Sequence, residues 1–489
     1  MLSCKKLAAA PIVPPLFKYA GLILLLVSAC MQAGAASAPT DEKPVIPPDL
    51  YHEFKPVPDT ENAIINWRRA AAVMAPLEAG DIKLISSCWI PGLPEPSSDD
   101  LNHLNQWLQR NHDALQLFNG SLKQPYAQWP ERDPQNPQPE LRSLNQMIFA
   151  RLFEADQQAE HGNFAGAATF LEENLKLADD GLHGDPSLFD YLVACTQRTR
   201  TQDAILRLAS RKSVPVSLLK ELLNHLPSLD TEVTIYSNAI SVDFTRDYYS
   251  KYDVKKTVDA WLKISQTNEV LSILFSTNLV RPAKVILDPS LVAMHPKPYD
   301  LNAQLDRETR TYRIYRDNTL TVYSNRDNSL ELESEENEDQ LLADIKPLMQ
   351  AVTGEPLPLS RPAAQKARAA YLALDNPIGR VSNCSLLGFI ASDLKVCECR
   401  TEREATRTCM ALLIFEKQKG HLPAALSDLV DEKILPSLPI DQFCGAPLNY
   451  SRDAHKVWSV NFDGINDGGS GGKTRWGGKD AVWQIPELN

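Results

Sequence analysis

The sequence predicts a mostly α-helical protein that ends in a small α+β domain. Apolar residues recur at helical spacing in much of residues 61–400, and prolines mark where several of these segments start or stop. Residues 401–489 change to a turn-rich pattern that contains one alternating strand. With 489 residues, of which 43% are hydrophobic, the chain is long enough to bury one large core or several smaller ones. We therefore expect an irregular α-helical domain over 61–400, followed by the C-terminal domain.

Residues 1–38 have the features of an export signal. Lysines precede an apolar run at 19–27, and residues 19–40 contain no charged side chain. The run ends in Val-Ser-Ala-Cys30, which resembles the lipobox of bacterial lipoproteins. The resemblance implies that Cys30 is acylated and becomes the mature N-terminus.

Two alternatives to lipidation at Cys30 stay open. Small-x-small patterns at 33–35 and 36–38 would allow cleavage that releases a soluble periplasmic protein. The apolar stretch is also near the roughly 20 residues that cross a bilayer, so it could remain as an uncleaved anchor. All three place most of the chain outside the cytoplasm, and we expect a membrane-anchored protein of the cell envelope. Residues 39–60 are rich in proline, which indicates an extended tether.

The chain is acidic, with a formal net charge of −12 at pH 7. The basic residues of the export signal reduce this value, so the remainder is more negative still. A surface of this sign repels phosphate groups, and nucleic acid is therefore not an expected partner.

Export would place the cysteines where thiols tend to oxidise. Beyond Cys30, the following five crowd into the C-terminal part of the chain: Cys384, Cys397, Cys399, Cys409 and Cys444. We expect at least one disulfide among these five, with a connectivity that spacing does not determine. A four-thiolate zinc site made of the first four is a weaker alternative, because Cys397-Glu-Cys399 is tighter than the usual spacing of zinc ligands.

Several helices can be placed from periodicity, caps and prolines. They cover residues 62–74, residues 101–117 with Asp99 or Asp100 as the cap, a helical hairpin at 146–179, and residues 215–226 between two prolines. Three prolines within 133–139 indicate a loop or linker. Residues 311–325 suit a β-hairpin or a helix equally well, and the acidic run 331–339 is typical of a solvated loop, with an interaction tail as the minor alternative.

The hairpin at 146–179 resembles a single tetratricopeptide repeat. The resemblance is carried by Ala155, Gly162, Phe164, Ala167, Leu171 and Leu175. No second copy follows, and such repeats need neighbours to bury their faces. We therefore expect one helix pair in an irregular domain, with a peptide-binding repeat module as the alternative.

The most specific pattern lies in residues 401–489. A helix over 401–419 leads into a series of spaced turn and aromatic residues and then a strand at 457–462. The series comprises Gly420, Pro423, Pro436, Pro439, Asp441, Phe443, Gly445, Pro447 and Tyr450. This segment resembles the C-terminal half of the major pseudopilins of type II secretion, and the whole layout is similar to a group of bacterial envelope proteins. The lipobox-like signal differs from a pseudopilin leader, so we do not expect filament assembly.

The loop after this strand contains candidate metal ligands. In pseudopilins the matching loop binds calcium, so the resemblance implies calcium binding by Asp463, Asn466, Asp467 and Asp480, with carbonyls and waters completing the shell. Alternatively, these side chains satisfy backbone donors in a glycine-rich turn. Residues 468–474 look like a phosphate-binding loop, but the glycine spacing fails, so we expect no nucleotide.

No motif of a known catalytic type is present. The sequence has neither Gly-x-Ser-x-Gly nor His-Glu-x-x-His, and its nine histidines do not fall at metal-ligand spacing. We predict a non-enzymatic, membrane-tethered envelope protein that binds another envelope component through an exposed apolar groove and has no buried polar cluster. One alternative is an extracytoplasmic hydrolase, whose carboxylates or histidines would converge in a deep pocket. Another is a structural subunit of a surface assembly that self-associates through residues 401–489.

Overall fold

The computed structural model describes most of the chain from residue 46 onward. The described residues are 46–75, 97–128, 139–226, 236–245, 254–267, 271, 275–318, 321–327, 329–384, 387–472 and 475–489. The predictions for the export signal, Cys30 and the first part of the tether lie outside them. So does nearly all of the loop predicted at 133–139.

The described residues are mostly helical and include a three-stranded antiparallel sheet near the C-terminus, which confirms the predicted fold class at this level. The helices are α1 (Ala63–Val73), α2 (Ser98–Arg110), α3 (His112–Gly120), α4 (Pro139–Glu160), α5 (Phe164–Asp180), α6 (Leu188–Ser210), α7 (Val216–His225), α8 (Val254–Ser265), α9 (Val280–Ile286), α10 (Pro289–Val292), α11 (Leu301–Asn318), α12 (Ser329–Asp344), α13 (Lys346–Ala351), α14 (Arg361–Leu372), α15 (Pro377–Asn383), α16 (Leu387–Lys419) and α17 (Ser427–Asp431). The strands are β1 (Asn449–Ser451), β2 (Lys456–Ser459) and β3 (Ala481–Gln484). Residues 236–245 are also helical, and short 3₁₀ turns cover Ser121–Lys123 and Tyr323–Asn325.

The helical hairpin predicted at 146–179 is confirmed as α4 and α5. Gly162 adopts a φ of 76° in the turn, a conformation that favours glycine, and the Asn163 side chain caps α5 by accepting from the Gly166 amide at 3.1 Å. Helix α6 packs against α5, and α16 packs against α6. The predicted helix at 215–226 is confirmed as α7, whose leucine stripe Leu219, Leu222 and Leu223 is buried.

The helix predicted over 101–117 is wrong in two respects. Asn111 separates α2 from α3, because its buried side chain donates to the Trp107 carbonyl at 3.0 Å and accepts from the Ala75 amide at 2.7 Å. The cap is Ser97 rather than Asp99 or Asp100. Asp100 nevertheless completes the capping box by accepting from the Ser97 amide.

Two further predictions between residues 311 and 344 are corrected by the structure. Residues 311–318 continue helix α11 with Tyr312 and Tyr315 on its buried face, so the β-hairpin alternative is wrong. The acidic run 331–339 belongs to helix α12 and is not a loop. Glutamate and leucine are strong helix formers, and Asp344 at the end of α12 accepts from Arg380 at 2.6 Å. Helix propensity therefore outweighs the repulsion between its exposed carboxylates.

The described part of the proline-rich segment lies against the body of the protein. Ile46 and Leu50 are buried in the cluster that includes Tyr191 of α6. Asp49 accepts hydrogen bonds from Arg313 and Arg316 of α11, at 2.8 and 3.0 Å, which holds the pKa of its carboxyl well below the usual range. From residue 46 onward, the predicted tether is therefore docked rather than free.

Helix α16 is the central element of the C-terminal region. It begins at Leu387, so the predicted start at Thr401 is wrong, and Thr401 and the expected domain boundary lie inside one continuous helix. Its predicted end is confirmed, since Gly420 follows Lys419 with a φ of 80°. No helix within the described ranges is long and apolar enough to cross a membrane.

The sheet packs against α16 and shares its core with the helical hairpin. Strand β2 pairs with both neighbours, with Val457 opposite Trp483. β2 is shorter than the predicted strand at 457–462, because Asn461 adopts a left-handed φ of 59° at the following turn. One hydrophobic cluster contains residues of α4, α5, α6, α7 and α16 together with Val457 and Trp483. The C-terminal sheet and the helical layer are therefore built on a common core.

Candidate functional site

Helix α16 carries a run of charged and polar side chains through the interior of the protein. The following residues are at most 2% exposed: Glu398, Arg400, Thr401, Glu402, Arg403, Thr406 and Thr408. Burying a charge is costly unless partners compensate for the lost water. The partners of this run therefore decide how the cost of burying its charges is offset.

Four side chains from three parts of the chain form what we call the Glu402 cluster: Asp203 of α6, Glu402 of α16, Arg475 and Trp483 of β3. Arg475 forms an ion pair with Oε1 of Glu402 and donates to Oδ1 of Asp203 at 2.9 Å. The indole Nε1 of Trp483 donates to the same Oε1 of Glu402 at 2.8 Å. The cluster thus ties the C-terminal segment to α6 and α16.

The Glu402 cluster places two carboxyl groups around one guanidinium. Burial raises the pKa of Glu402 to about 7, and it also raises the pKa of Asp203. Burial opposes the charge of Arg475, but the carboxylates of Glu402 and Asp203 outweigh it and raise the pKa of the guanidinium. The negative charge of Asp203 also raises the pKa of Glu402, so the two acids titrate as a pair. Uptake of one proton by this pair leaves the cluster electrically neutral.

A carboxyl group with a raised pKa is the kind of group that acts as a general acid or base when substrate can reach it. The Glu402 side chain is only 1% exposed, and Arg475 and Trp483 cover its acceptor Oε1. A separate cleft lies between α4, α5 and α6, where Leu152, Ala155, Leu171 and Leu208 are part of its lining. It encloses only about 10 Å³, close to the space that one water needs. Neither acid lines this cleft. Glu402 is enclosed by protein, whereas the side chains of Asp203 and Arg475 are 11% and 17% exposed.

The Glu402 cluster changes two expectations drawn from the sequence. The expected absence of a buried polar cluster is wrong, because the fully buried Glu402 forms one with Asp203 and Arg475, whose side chains are 11% and 17% exposed. The hydrolase alternative required carboxylates that converge in a deep pocket. Carboxylates do converge here, but they converge on the Arg475 guanidinium, and the Trp483 indole covers Glu402.

The predicted calcium ligands lie together in the loop between β2 and β3, where their oxygens accept hydrogen bonds. Asp480 is fully buried and accepts from the amides of Gly469 at 2.8 Å, Ser470 at 3.0 Å and Asp467 at 3.3 Å. Asn466 accepts from the Trp458 indole and from the Gly468 amide, both at 3.0 Å. Asp480 thus accepts from two amides, those of Gly469 and Ser470, within the segment whose sequence looks like a phosphate-binding loop.

The remaining two candidates are engaged as well. Asp463 accepts from the Ile465 amide at 2.9 Å, and Asp467 pairs with Lys479 at 3.3 Å. Within the described ranges, no three histidine, cysteine, aspartate or glutamate side chains are grouped to hold a metal ion. This arrangement fits the glycine-rich turn rather than an open oxygen shell. Calcium binding stays a prediction from the resemblance.

Substitution of Asp480 by asparagine is expected to lower the free energy of unfolding by about 1–2 kcal/mol, because an amide nitrogen replaces an oxygen that faces backbone donors. Urea denaturation measures the change. Asp453→Asn is the matched control, since Asp453 is exposed in the neighbouring turn and should alter stability by less than about 0.5 kcal/mol. Equal effects of the two substitutions would contradict the role assigned to Asp480. A rise in melting temperature on adding calcium would contradict the assignment of these oxygens to the turn.

The five C-terminal cysteines do not converge on one place, although Cys444 packs against the small cluster that contains Cys397. Four of them lie in four different hydrophobic clusters: Cys384, Cys397, Cys399 and Cys409. This separation excludes the four-thiolate zinc site. Cysteines of the described ranges are present as thiols, so the disulfide predicted among these five is not formed in the structure.

Comparison with known proteins gives no match to the chain. No protein-family model, no curated protein and no solved structure is significantly similar to it.

Proposed function

We propose that the chain is a non-enzymatic, membrane-tethered envelope protein that binds another envelope component. Support comes above all from the Glu402 cluster. Glu402, whose pKa is raised by burial to about 7, is enclosed, paired with Arg475 and covered by Trp483. A carboxyl group with these partners connects the helices to the C-terminal segment rather than turning over a substrate.

The envelope location is supported by the sequence of residues 1–38. The apolar run at 19–27 follows the lysines of the N-terminal segment and leads into Val-Ser-Ala-Cys30, the pattern of a lipobox. A lipid at Cys30 would tether the body through the segment that docks from residue 46 onward.

The proposal also includes two resemblances of fold, one for the C-terminal tail and one for a helical hairpin. The order of a long helix, a left-handed Gly420, proline-marked loops and a three-stranded antiparallel sheet supports a pseudopilin-like tail. The antiparallel pair α4 and α5 supports a tetratricopeptide-like hairpin, but it packs against α6 of an irregular bundle. We therefore propose these segments as binding scaffolds without filament assembly.

Anchoring is tested by replacing Cys30 with alanine in the full chain and measuring membrane retention and intact mass. The wild-type protein is expected to sediment with membranes and to begin at an acylated Cys30, and the variant is expected to lose the lipid mass and the retention. Cys4→Ala is the matched control, because it removes a cysteine from the same segment and should change neither property. A wild-type mass that begins near residue 36 or 39 would contradict the lipid anchor.

Partner binding is tested with a photo-crosslinking residue at Ile465, which is 56% exposed in the loop after β2 beside the exposed Phe462. We expect a discrete adduct with one envelope protein from intact cells, because exposed apolar side chains at a loop tip favour a protein contact. Leu372 on α14, which is 37% exposed, is the matched control. Adducts of the same pattern from both positions, or none from Ile465, would count against binding by the tail.

A further inference from the structure

The structure brings together two cysteines that are far apart in the sequence. Cys195 lies on α6 and Cys399 on α16, two helices that pack against each other. Their side chains are 1% and 7% exposed and belong to the same hydrophobic cluster. The two thiols are within hydrogen-bonding contact. They are therefore adjacent groups in the interface between the two helices.

Helix geometry explains why Cys399, and not its neighbour Cys397, meets Cys195. Residues two positions apart on an α-helix point in directions about 200° apart. Cys397 accordingly lies on the other side of α16, in the cluster with Phe443 and Val460. The pair Cys397-Glu-Cys399 thus serves two separate interfaces of one helix.

Charged groups beside the thiols affect their reactivity. Lys395, one turn before Cys399, donates to Glu398 at 2.9 Å, and its ammonium favours the thiolate of Cys399. The hydrogen bond with Cys195 and burial act in the opposite direction and raise the pKa of the Cys399 thiol. Within the closed core both thiols are protonated and slow to react. Oxidation of the pair therefore requires the core to open, or must occur before the core has folded.

We propose that Cys195 and Cys399 are a redox pair that closes to an intramolecular disulfide between α6 and α16 when the chain meets a disulfide oxidant. The two thiols lose two protons and two electrons, and one S–S bond forms between their sulfurs by way of a mixed disulfide with the oxidant. The disulfide of the oxidant, such as oxidised glutathione or a thiol oxidoreductase, is reduced to two thiols. The structure holds the dithiol form of the pair.

The crosslink would stabilise the fold by joining distant parts of the chain. The disulfide would close a loop of roughly 200 residues. A crosslink that closes a longer loop restricts the unfolded chain more and therefore stabilises the folded protein more. Both helices also contribute to the core that contains the sheet, so the crosslink lies at the centre of the molecule.

The test uses the purified full chain, first reduced and then exposed to oxidised glutathione in mild denaturant before refolding. After alkylation of remaining thiols, peptides digested without reductant are expected to include one that links Cys195 to Cys399, about 2 Da lighter than the two reduced peptides together. The oxidised protein is expected to melt roughly 5–10 °C above the reduced protein. Dithiothreitol should abolish the difference.

Cys399→Ala should remove both the linked peptide and the gain in melting temperature, whereas Cys409→Ala, a buried cysteine further along the same helix, should keep both. Alkylation of both Cys195 and Cys399 after oxidation, or a link from Cys195 to Cys397, would overturn the pairing. Peptide mapping of the wild-type chain decides the question even if a variant fails to fold. Because the oxidation is carried out in solution, the outcome is independent of the proposed membrane anchor.

Discussion

Replacing Arg475 with methionine is expected to lower the free energy of unfolding by about 3–5 kcal/mol at pH 7, since it leaves buried carboxyl groups without their positive partner. Arg475 contacts both acids of the Glu402 cluster, on α6 and on α16. Methionine keeps most of the apolar length of the arginine side chain, so the loss reports mainly on charge. Urea denaturation followed by circular dichroism measures the change.

The matched control for this substitution is Arg452→Met. Arg452 is exposed in the turn after β1, and its replacement should change stability by less than about 0.5 kcal/mol. Similar losses from the two variants would contradict the pairing of Arg475 with the buried acids.

The stability deficit of the Arg475 variant is expected to depend on pH. The pKa of Glu402 is raised from 4.5 to about 7 in the folded protein, so its contribution to stability is present below about pH 4.5 and is lost as the pH rises through about 7. Without the guanidinium, the two acids become harder still to ionise. The deficit should therefore be smaller at pH 5 than at pH 8.

Replacing Trp483 with alanine is expected to destabilise the protein by about 3–5 kcal/mol, because it empties a large buried site. Trp483 is 1% exposed on β3, its ring lies edge-on to Trp476 with centroids 5.5 Å apart, and its indole donates to Glu402. Both the shared core and the Glu402 cluster lose a member. Equilibrium unfolding in urea again gives the magnitude.

Two companion variants separate packing from hydrogen bonding. Trp483→Phe keeps an aromatic ring and removes the donor to Glu402, so we expect a loss of about 1–3 kcal/mol. Gln484→Ala changes the next residue of β3, which is exposed, and should cost less than about 0.5 kcal/mol. If Trp483→Ala unfolded only the sheet and left the helices at full stability, the common core would be refuted.

Helices with strong local signals could be predicted from the sequence. Helix α7 lies between Pro215 and Pro227 and has an apolar stripe, and the hairpin of α4 and α5 has small residues and a glycine turn, so periodicity was sufficient. Helix α12 was missed because its run of acids was interpreted from charge alone. The helix propensity of glutamate and leucine decided the outcome.

The Glu402 cluster could not be found by motif, because its members are far apart in the chain. Arg475 is 272 residues from Asp203 and 73 from Glu402. One signal was nevertheless present: six consecutive residues of the same helix, 409–414, are apolar or cysteine and are all fully buried. A helix that is apolar on every side must be surrounded by protein, so the charges one or two turns earlier are buried too.

The orientation of the side chains in the loop between β2 and β3 could not be predicted from the sequence either. Spacing alone suits either calcium ligands or a turn, because Asp, Asn and Gly serve both. The structure distinguishes a calcium site from a turn by the orientation of the Asp480 side chain. Its carboxylate accepts hydrogen bonds from the backbone amides of Gly469 and Ser470.

Enclosure of Glu402 is tested most directly by labelling solvent-accessible carboxyl groups of the native protein with a carbodiimide and an amine, followed by peptide mass spectrometry. Glu402 is expected to remain unmodified at times when Glu432, whose side chain is 45% exposed, is fully labelled, because the Glu402 side chain is 1% exposed. Unfolding the protein in urea should make both react. Labelling of native Glu402 at the rate of Glu432 would show that solvent reaches the cluster and would contradict a non-enzymatic role for it.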